Sequence, residues 1–95
     1  MRVYLAADAA ALESLRNGES LTLQPVVPDS DDEEDEFAAL SEAAEAGPVV
    51  IAADIDNEFQ PLTMAQVASF HVDADGSGDL AWFATQEINQ VLDLL

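Results

Sequence analysis

Three aspartates in the sequence each follow a short apolar run of the kind that forms β-strands, and these are Asp8, Asp54 and Asp73. Carboxylates at the ends of parallel strands meet at one edge of a sheet, where ligands bind in open α/β folds. Such a group could hold Mg²⁺, which binds a few carboxylates together with water. The alternative is that each aspartate caps the helix or turn that follows it. Because Asp is common at such positions, we favour capping and assign no metal site.

The segment 73–80 resembles the start of an EF-hand calcium loop. Asp73, Asp75 and Ser77 stand where the motif has its first three ligands, and a glycine follows Ser77 where the motif needs one. The last position of the motif requires a bidentate Glu, but Ala84 stands there. We therefore interpret the segment as a glycine-rich turn, and cation binding by Asp73 and Asp75 stays open.

The sequence offers no catalytic residue. His71 is the only histidine, and it lies between apolar neighbours in a predicted strand. A lone histidine without a base, nucleophile or metal partner is usually structural. The absence of Cys excludes thiolate chemistry, and the absence of Lys excludes Schiff-base and P-loop chemistry. We predict no cofactor and no enzymatic activity.

Trp82 is the candidate anchor for a protein partner. In a helix predicted over 80–95, its indole lies opposite the apolar stripe and shares a polar face with Gln86, Asn89 and Asp93. An exposed Trp beside polar side chains is a good anchor for a partner. The alternative is that the ring folds back on a neighbouring loop at the start of the helix.

The charge balance is strongly acidic: 20 acids face two arginines, Arg2 and Arg16, for a net charge of -18. This balance argues against binding nucleic acid or an anionic membrane, because almost nothing neutralises phosphates. It is compatible with a basic protein partner, although excess carboxylates can also serve only solvation. The run 29–36 predicts a mobile acidic loop that leads into a helix. Five of its acids are candidate partner-binding residues: Asp31, Asp32, Glu33, Glu34 and Asp35.

The elements that must position these residues form a single predicted α/β domain over 1–95. Its centre is the β-branched apolar run 48–55, which is typical of a strand covered on both faces. The other predicted strands are 2–7, 21–27 and 69–73, and the predicted helices are 9–16, 33–46, 80–95 and a short one at 62–68. Strands that alternate with helices favour about four short, mostly parallel strands with three main helices. The structural rival has an antiparallel hairpin between 48–55 and 69–73.

Four stretches, 1–5, 49–54, 67–73 and 82–88, resemble an uncharacterised family of small actinobacterial cytosolic proteins, a domain of unknown function. The most specific of them is Trp82-Phe83-Ala84-Thr85-Gln86-Glu87-Ile88. The resemblance implies a bacterial, soluble α/β protein, shorter than typical members, and it implies no activity. The chain also lacks an apolar run long enough to span a bilayer, and residues 1–5 lack the features of a signal peptide. We therefore expect a cytoplasmic protein.

These observations predict a non-enzymatic interaction module that binds a basic protein partner. The alternative is a nucleic-acid mimic that occupies a DNA- or RNA-binding site. A third possibility, in a different class, is a divalent-metal-dependent binder or enzyme that uses Asp8, Asp54 and Asp73.

Overall fold

A computed structural model describes all of residues 1–95 as four strands, three α-helices and two single 3₁₀ turns. In chain order these are β1 (Arg2–Ala7), α1 (Ala9–Arg16), α2 (Glu33–Ala46), β2 (Val49–Asp54), a 3₁₀ turn (Met64–Gln66), β3 (Val67–Val72), β4 (Ala81–Ala84), a second 3₁₀ turn (Thr85–Glu87) and α3 (Ile88–Leu94).

The four strands form one sheet in the order β1-β2-β3-β4, and every neighbouring pair is antiparallel. The predicted mostly parallel sheet is therefore wrong, and the rival hairpin between β2 and β3 is present. Parallel neighbours need a crossover, usually a helix, but the connections 55–66 and 73–80 contain at most one 3₁₀ turn.

The direction of β2 relative to β1 follows from the course of α2. The first turn of α2 lies near the start of β1, where the Tyr4 hydroxyl donates to Glu36. The chain leaves α2 at the other end of β1, where a Cβ added to Gly47 would lie 2.9 Å from the carbonyl oxygen of Ala7. Since α2 runs alongside β1 in the same direction, β2 must run back against it.

Both faces of the sheet are partly covered by helices. One core cluster, on the α1/α3 face, joins Val3, Val49 and Ile51 to Leu12 and Val91. A smaller cluster, on the α2 face, joins Tyr4, Val50 and Ala52 to Ala39 and Ala43. The internal strand β2 is therefore buried on both faces, which confirms the prediction for 48–55 and explains its unbroken apolar run.

Helices α1 and α2 have their predicted bounds. The sequence also predicts a buried stripe on α2, made of Phe37, Leu40, Ala44 and Ala38. This prediction is wrong for Phe37 and Ala38 and holds only in part for Leu40 and Ala44. The buried residues are Ala39 and Ala43, whereas Phe37 is 68% exposed and Ala38 is also exposed. The small alanine side chains let the helix lie close to the sheet, and the larger Leu40 is only half-buried at the margin.

Three other predicted elements are wrong. The segment 80–95 is not one helix, because residues 81–84 pair with β3 and only 88–94 form an α-helix. Alternating side chains put Phe83 against the core cluster and Trp82 on the other face. The segment 21–27 makes only two isolated bridges, Leu21 with Leu62 and Val26 with Tyr4. The predicted helix 62–68 is a single 3₁₀ turn that leads into β3.

No helix of the structure is both long enough and apolar enough to cross a membrane.

Candidate functional site

The antiparallel register separates the three strand-end aspartates. Asp54 lies opposite Arg2 at one end of the sheet. Asp8 and Asp73 follow strand ends that lie at the opposite end, because Val49 pairs with both Ala7 and Val72. The predicted common edge for the three carboxylates is therefore wrong, and no group of three His, Asp or Glu residues is close enough to hold a metal ion.

Two of these aspartates have local structural partners. Asp54 accepts from Nε of Arg2 at 2.9 Å and from Nη2 at 3.2 Å, and this hydrogen bonding holds the pKa of Asp54 below its usual value. Asp8 is the N-cap of α1, where its Oδ1 accepts from the backbone N–H of Ala11 at 2.9 Å. The capping interpretation is therefore confirmed for Asp8.

The carboxylates of the EF-hand-like segment bind its own backbone. Asp73 Oδ2 accepts from the N–H of Gly78 at 2.9 Å, and Asp75 Oδ1 accepts from the N–H of Ser77 at 3.0 Å. The hydrogen bonds from Ser77 lower the pKa of Asp75. The remaining oxygen, Asp73 Oδ1, is buried and has no hydrogen-bond partner. Because buried polar atoms are rarely unpaired, this oxygen needs an explanation.

His71 forms a pair with Ser69, whose Oγ lies 2.9 Å from Nε2 of the imidazole. That distance suits a nucleophile and its base, but Ser69 is only 5% exposed and no carboxylate hydrogen-bonds the imidazole. Burial, with a smaller contribution from the charge of Arg2, lowers the pKa of His71. The pair is therefore a neutral hydrogen bond within the sheet.

Trp82 projects from the face of the sheet that carries α2. It pairs with His71 across β3 and β4, and His71 pairs with Val50 of the α2 face. Helix α2 packs mainly on β1 and β2, so β3 and β4 are less covered on this face. The indole is 62% exposed on this less covered part. We call this part the open half-face: Trp82 is its exposed side chain, His71 and Ala84 are half-buried, and Ser69 is buried.

A groove borders the open half-face, between α2 and the loop 73–80. Its volume is about 520 Å³. We call it the α2 groove, and its lining residues are Phe37, Leu40, Ser41, Ala44, Asp73, Gly78, Asp79 and Leu80. It therefore combines apolar surface with two carboxylates.

The outer edge of the sheet at β4 is short and partly closed. The N–H of Ala84 donates to Oε1 of Glu87 at 2.8 Å instead of to a neighbouring strand. Since hydrogen-bonding direction alternates along an antiparallel strand, Trp82 is the other residue of β4 whose backbone faces outward. The edge therefore offers little backbone for pairing with a further strand, as in protected natural edges.

The predicted polar neighbours of Trp82 lie elsewhere. Asn89 and Asp93 belong to α3, on the opposite face of the sheet, and Asn89 accepts from Arg16 at 3.0 Å. Gln86 is exposed in the preceding 3₁₀ turn. The predicted shared helix face of these residues with Trp82 is therefore wrong.

The acidic run is helical from Glu33 onward. Four exposed acids of the predicted set flank the start of α2, and these are Asp31, Asp32, Glu33 and Glu34. Asp35 is half-buried and accepts from the Ser30 hydroxyl. Acids at this position also interact favourably with the helix dipole, so the run has a structural role besides any role in binding.

Sequence reasoning missed the α2 groove and the exposed Phe37. The sequence did contain one indication of the orientation of α2. Ala39 and Ala43 are four residues apart, so they lie on one face of the helix, and their small side chains let that face pack closely on a sheet. With these two residues inward, Phe37 points away from the sheet. The groove itself depends on the position of the loop 73–80, which no local pattern indicates.

The fold and site define a small three-layer domain with an antiparallel sheet between α1 and α3 on one side and α2 on the other. No protein-family model, no curated protein and no solved structure matches this chain. The resemblance to an actinobacterial family stays a prediction.

Proposed function

We propose that this protein is a non-enzymatic interaction module that binds a basic protein partner through the open half-face and the α2 groove. The observation that carries the proposal is the exposure of two large aromatic side chains, Trp82 and Phe37, on the same side of a strongly acidic molecule. Exposed aromatic residues next to apolar pockets are typical anchors of protein interfaces.

The electrostatics support a basic partner. Arg2 is paired with Asp54, and Arg16, which donates to the neutral Asn89, is the only other Arg or Lys side chain, so the remaining surface charge is almost entirely negative. A field of this kind accelerates association with a basic protein and makes the association sensitive to salt. A second copy of this chain is a poor occupant, because both copies carry a charge of -18 and the edge of β4 is partly closed by Glu87.

The test is capture from a bacterial lysate at low and high ionic strength, followed by identification of the captured protein and titration with the purified partner. Trp82→Ala should weaken the affinity about 30-fold, because interface anchors contribute about 2 kcal/mol or more. The matched control is Phe59→Ala, which removes an 85% exposed aromatic from the connection between β2 and β3. Capture that is equal in the two variants, or unchanged by high salt, would refute the proposal.

A nucleic-acid mimic is the second candidate, and one observation favours it. Four acids in the first turn of α2, Glu33 to Glu36, are held on a helix, as a rigid copy of a phosphate array requires. Competition between this protein and duplex DNA for the captured partner distinguishes the two functions. Displacement by DNA supports mimicry, and simultaneous binding of both excludes it.

A metal-dependent function has less support, because Asp54 lies at the opposite end of the sheet from Asp8 and Asp73. We propose a cytoplasmic location in a bacterium, on the basis of the resemblance described above.

A further inference from the structure

One residue that lines the α2 groove carries a buried acceptor without a donor. Asp73 lines the groove, its Oδ2 is held by the N–H of Gly78, and its Oδ1 is buried without a partner. A buried carboxylate oxygen that lacks a hydrogen bond raises the free energy of the state in which it occurs. A ligand that brings an N–H donor to this oxygen would remove that cost.

The other groove residues indicate the chemistry of this donor. Leu40, Ala44 and Leu80 provide an apolar path for an aliphatic stem. Phe37, also in the lining, has an exposed ring on which a planar cation can stack. A guanidinium suits this combination better than an ammonium, because it is planar, more weakly hydrated and able to stack while it donates to a carboxylate.

We propose that the α2 groove binds one arginine side chain of the basic partner, with its stem along α2 and its guanidinium donating to Asp73 Oδ1. This inference rests on the proposed function and specifies its recognition. Oδ1 is closed to solvent in the unbound protein, so the side chains that cover it must move apart when the guanidinium enters, while Oδ2 keeps its hydrogen bond to Gly78. Asp79, at the rim of the groove, adds to the negative potential that the cation meets.

The experiment is an NMR titration of the ¹⁵N-labelled full chain with N-acetyl-arginine amide. Saturable shifts should occur at the amides of the groove residues. N-acetyl-citrulline amide, which has nearly the same shape without the charge, should give none, and N-acetyl-lysine amide should bind more weakly. Asp73→Asn should raise the Kd for the arginine probe about tenfold, the effect of losing a charge-assisted hydrogen bond.

The matched control is Asp93→Asn, which makes the same change in charge at an exposed position of α3, on the opposite face of the sheet. It should leave the Kd unchanged, and the spectrum of each free variant reports whether it is folded. Unsaturable shifts spread over many acidic residues, or equal effects of the two variants, would overturn the arginine site.

Failure of this site and failure of the proposed function give different results. If Trp82→Ala abolishes partner capture while Asp73→Asn preserves it, the function stands and the arginine site is wrong. If the arginine probe binds as described but no basic partner is captured, the groove chemistry stands and the proposed function is wrong.

Discussion

At the scale of single residues, a minority of the charged groups hold the chain in place. Asp8 caps a helix, and Arg2 joins β1 to β2 through Asp54. The first role was predictable, because a cap depends on residues three positions apart. The second was not, because it depends on which residues face each other across the sheet.

His71 allows a test of whether burial or the overall charge controls its protonation. Burial disfavours the imidazolium and lowers its pKa, whereas a net charge of -18 should by itself raise it. We expect the pKa of His71, followed by NMR of the ring protons, to lie below the ordinary value of about 6.5.

The lowered pKa of His71 has a consequence for stability. Below the unfolded-state pKa of about 6.5, the unfolded chain binds the proton more tightly than the folded one, so the free energy of unfolding falls. Protonation of carboxylates also changes the free energy of unfolding as the pH falls, but it does so about equally in the wild type and in His71→Gln. The stability of the wild type relative to His71→Gln should therefore decrease as the pH falls from neutral through the histidine range. Parallel pH profiles, or a relative gain for the wild type, would contradict this.

At the scale of elements, helices defined by local signals were predictable and the short strand was not. The bounds of α1 and α2 follow from their flanking residues, Asp8 and Asn17-Gly18 for α1 and Gly47 for α2. The four residues of β4 form a strand only because β3 lies beside them. Their apolar spacing alone also fits a helix, and this ambiguity is usual for short apolar runs.

The N-caps of α1 and α2 form a matched pair for a stability test. Asp8 caps α1 with its side chain, whereas Asp32 stands at the same position of α2 without a side-chain cap hydrogen bond. Asp8→Ala should lower the free energy of unfolding by about 1 kcal/mol, and Asp32→Ala should change it by less than about 0.5 kcal/mol. Both changes remove one negative charge, so the general electrostatic effect cancels in the comparison.

The measurement is urea denaturation of the two variants at one pH and ionic strength. Asp8→Asn is the control, since Asn caps about as well as Asp, and it should retain most of the stability. Equal losses in Asp8→Ala and Asp32→Ala would show that the hydrogen bond to Ala11 contributes nothing.

At the scale of the whole molecule, strand direction was the main feature that the sequence did not determine. A chain that alternates strands and helices usually forms parallel crossovers, but here two helices intervene between β1 and β2 and none between the later strands. Whether two neighbouring strands are parallel depends on the path of all the residues that connect them, and no local pattern determines that path. The error in direction carried over to the site, because it put Asp54 on the same edge as Asp8 and Asp73.

The net charge makes a prediction about the entire fold. Folding brings a charge of -18 into a body with a radius of gyration of 12.2 Å, whereas an unfolded chain of this length has a radius of about 30 Å. Repulsion therefore disfavours the folded state, most strongly at low salt. The Debye length falls from about 30 Å at 0.01 M to about 8 Å at 0.15 M salt. Over that range of NaCl we expect the Tm to rise by about 5 °C, equivalent to roughly 1 kcal/mol.

Salt should act in opposite directions on the two properties that this charge controls. The same screening that raises the Tm should weaken binding of a basic partner, so both are measured over one NaCl series by thermal melting and by titration. A Tm that does not change with NaCl would mean that the carboxylates interact little in the folded state. Stabilisation by micromolar CaCl₂ or MgCl₂ at constant ionic strength would instead indicate a specific cation site. We expect no such saturable effect. The carboxylates of Asp73 and Asp75 accept hydrogen bonds from the backbone of their own loop, and no three possible ligands lie close enough together to hold a metal ion.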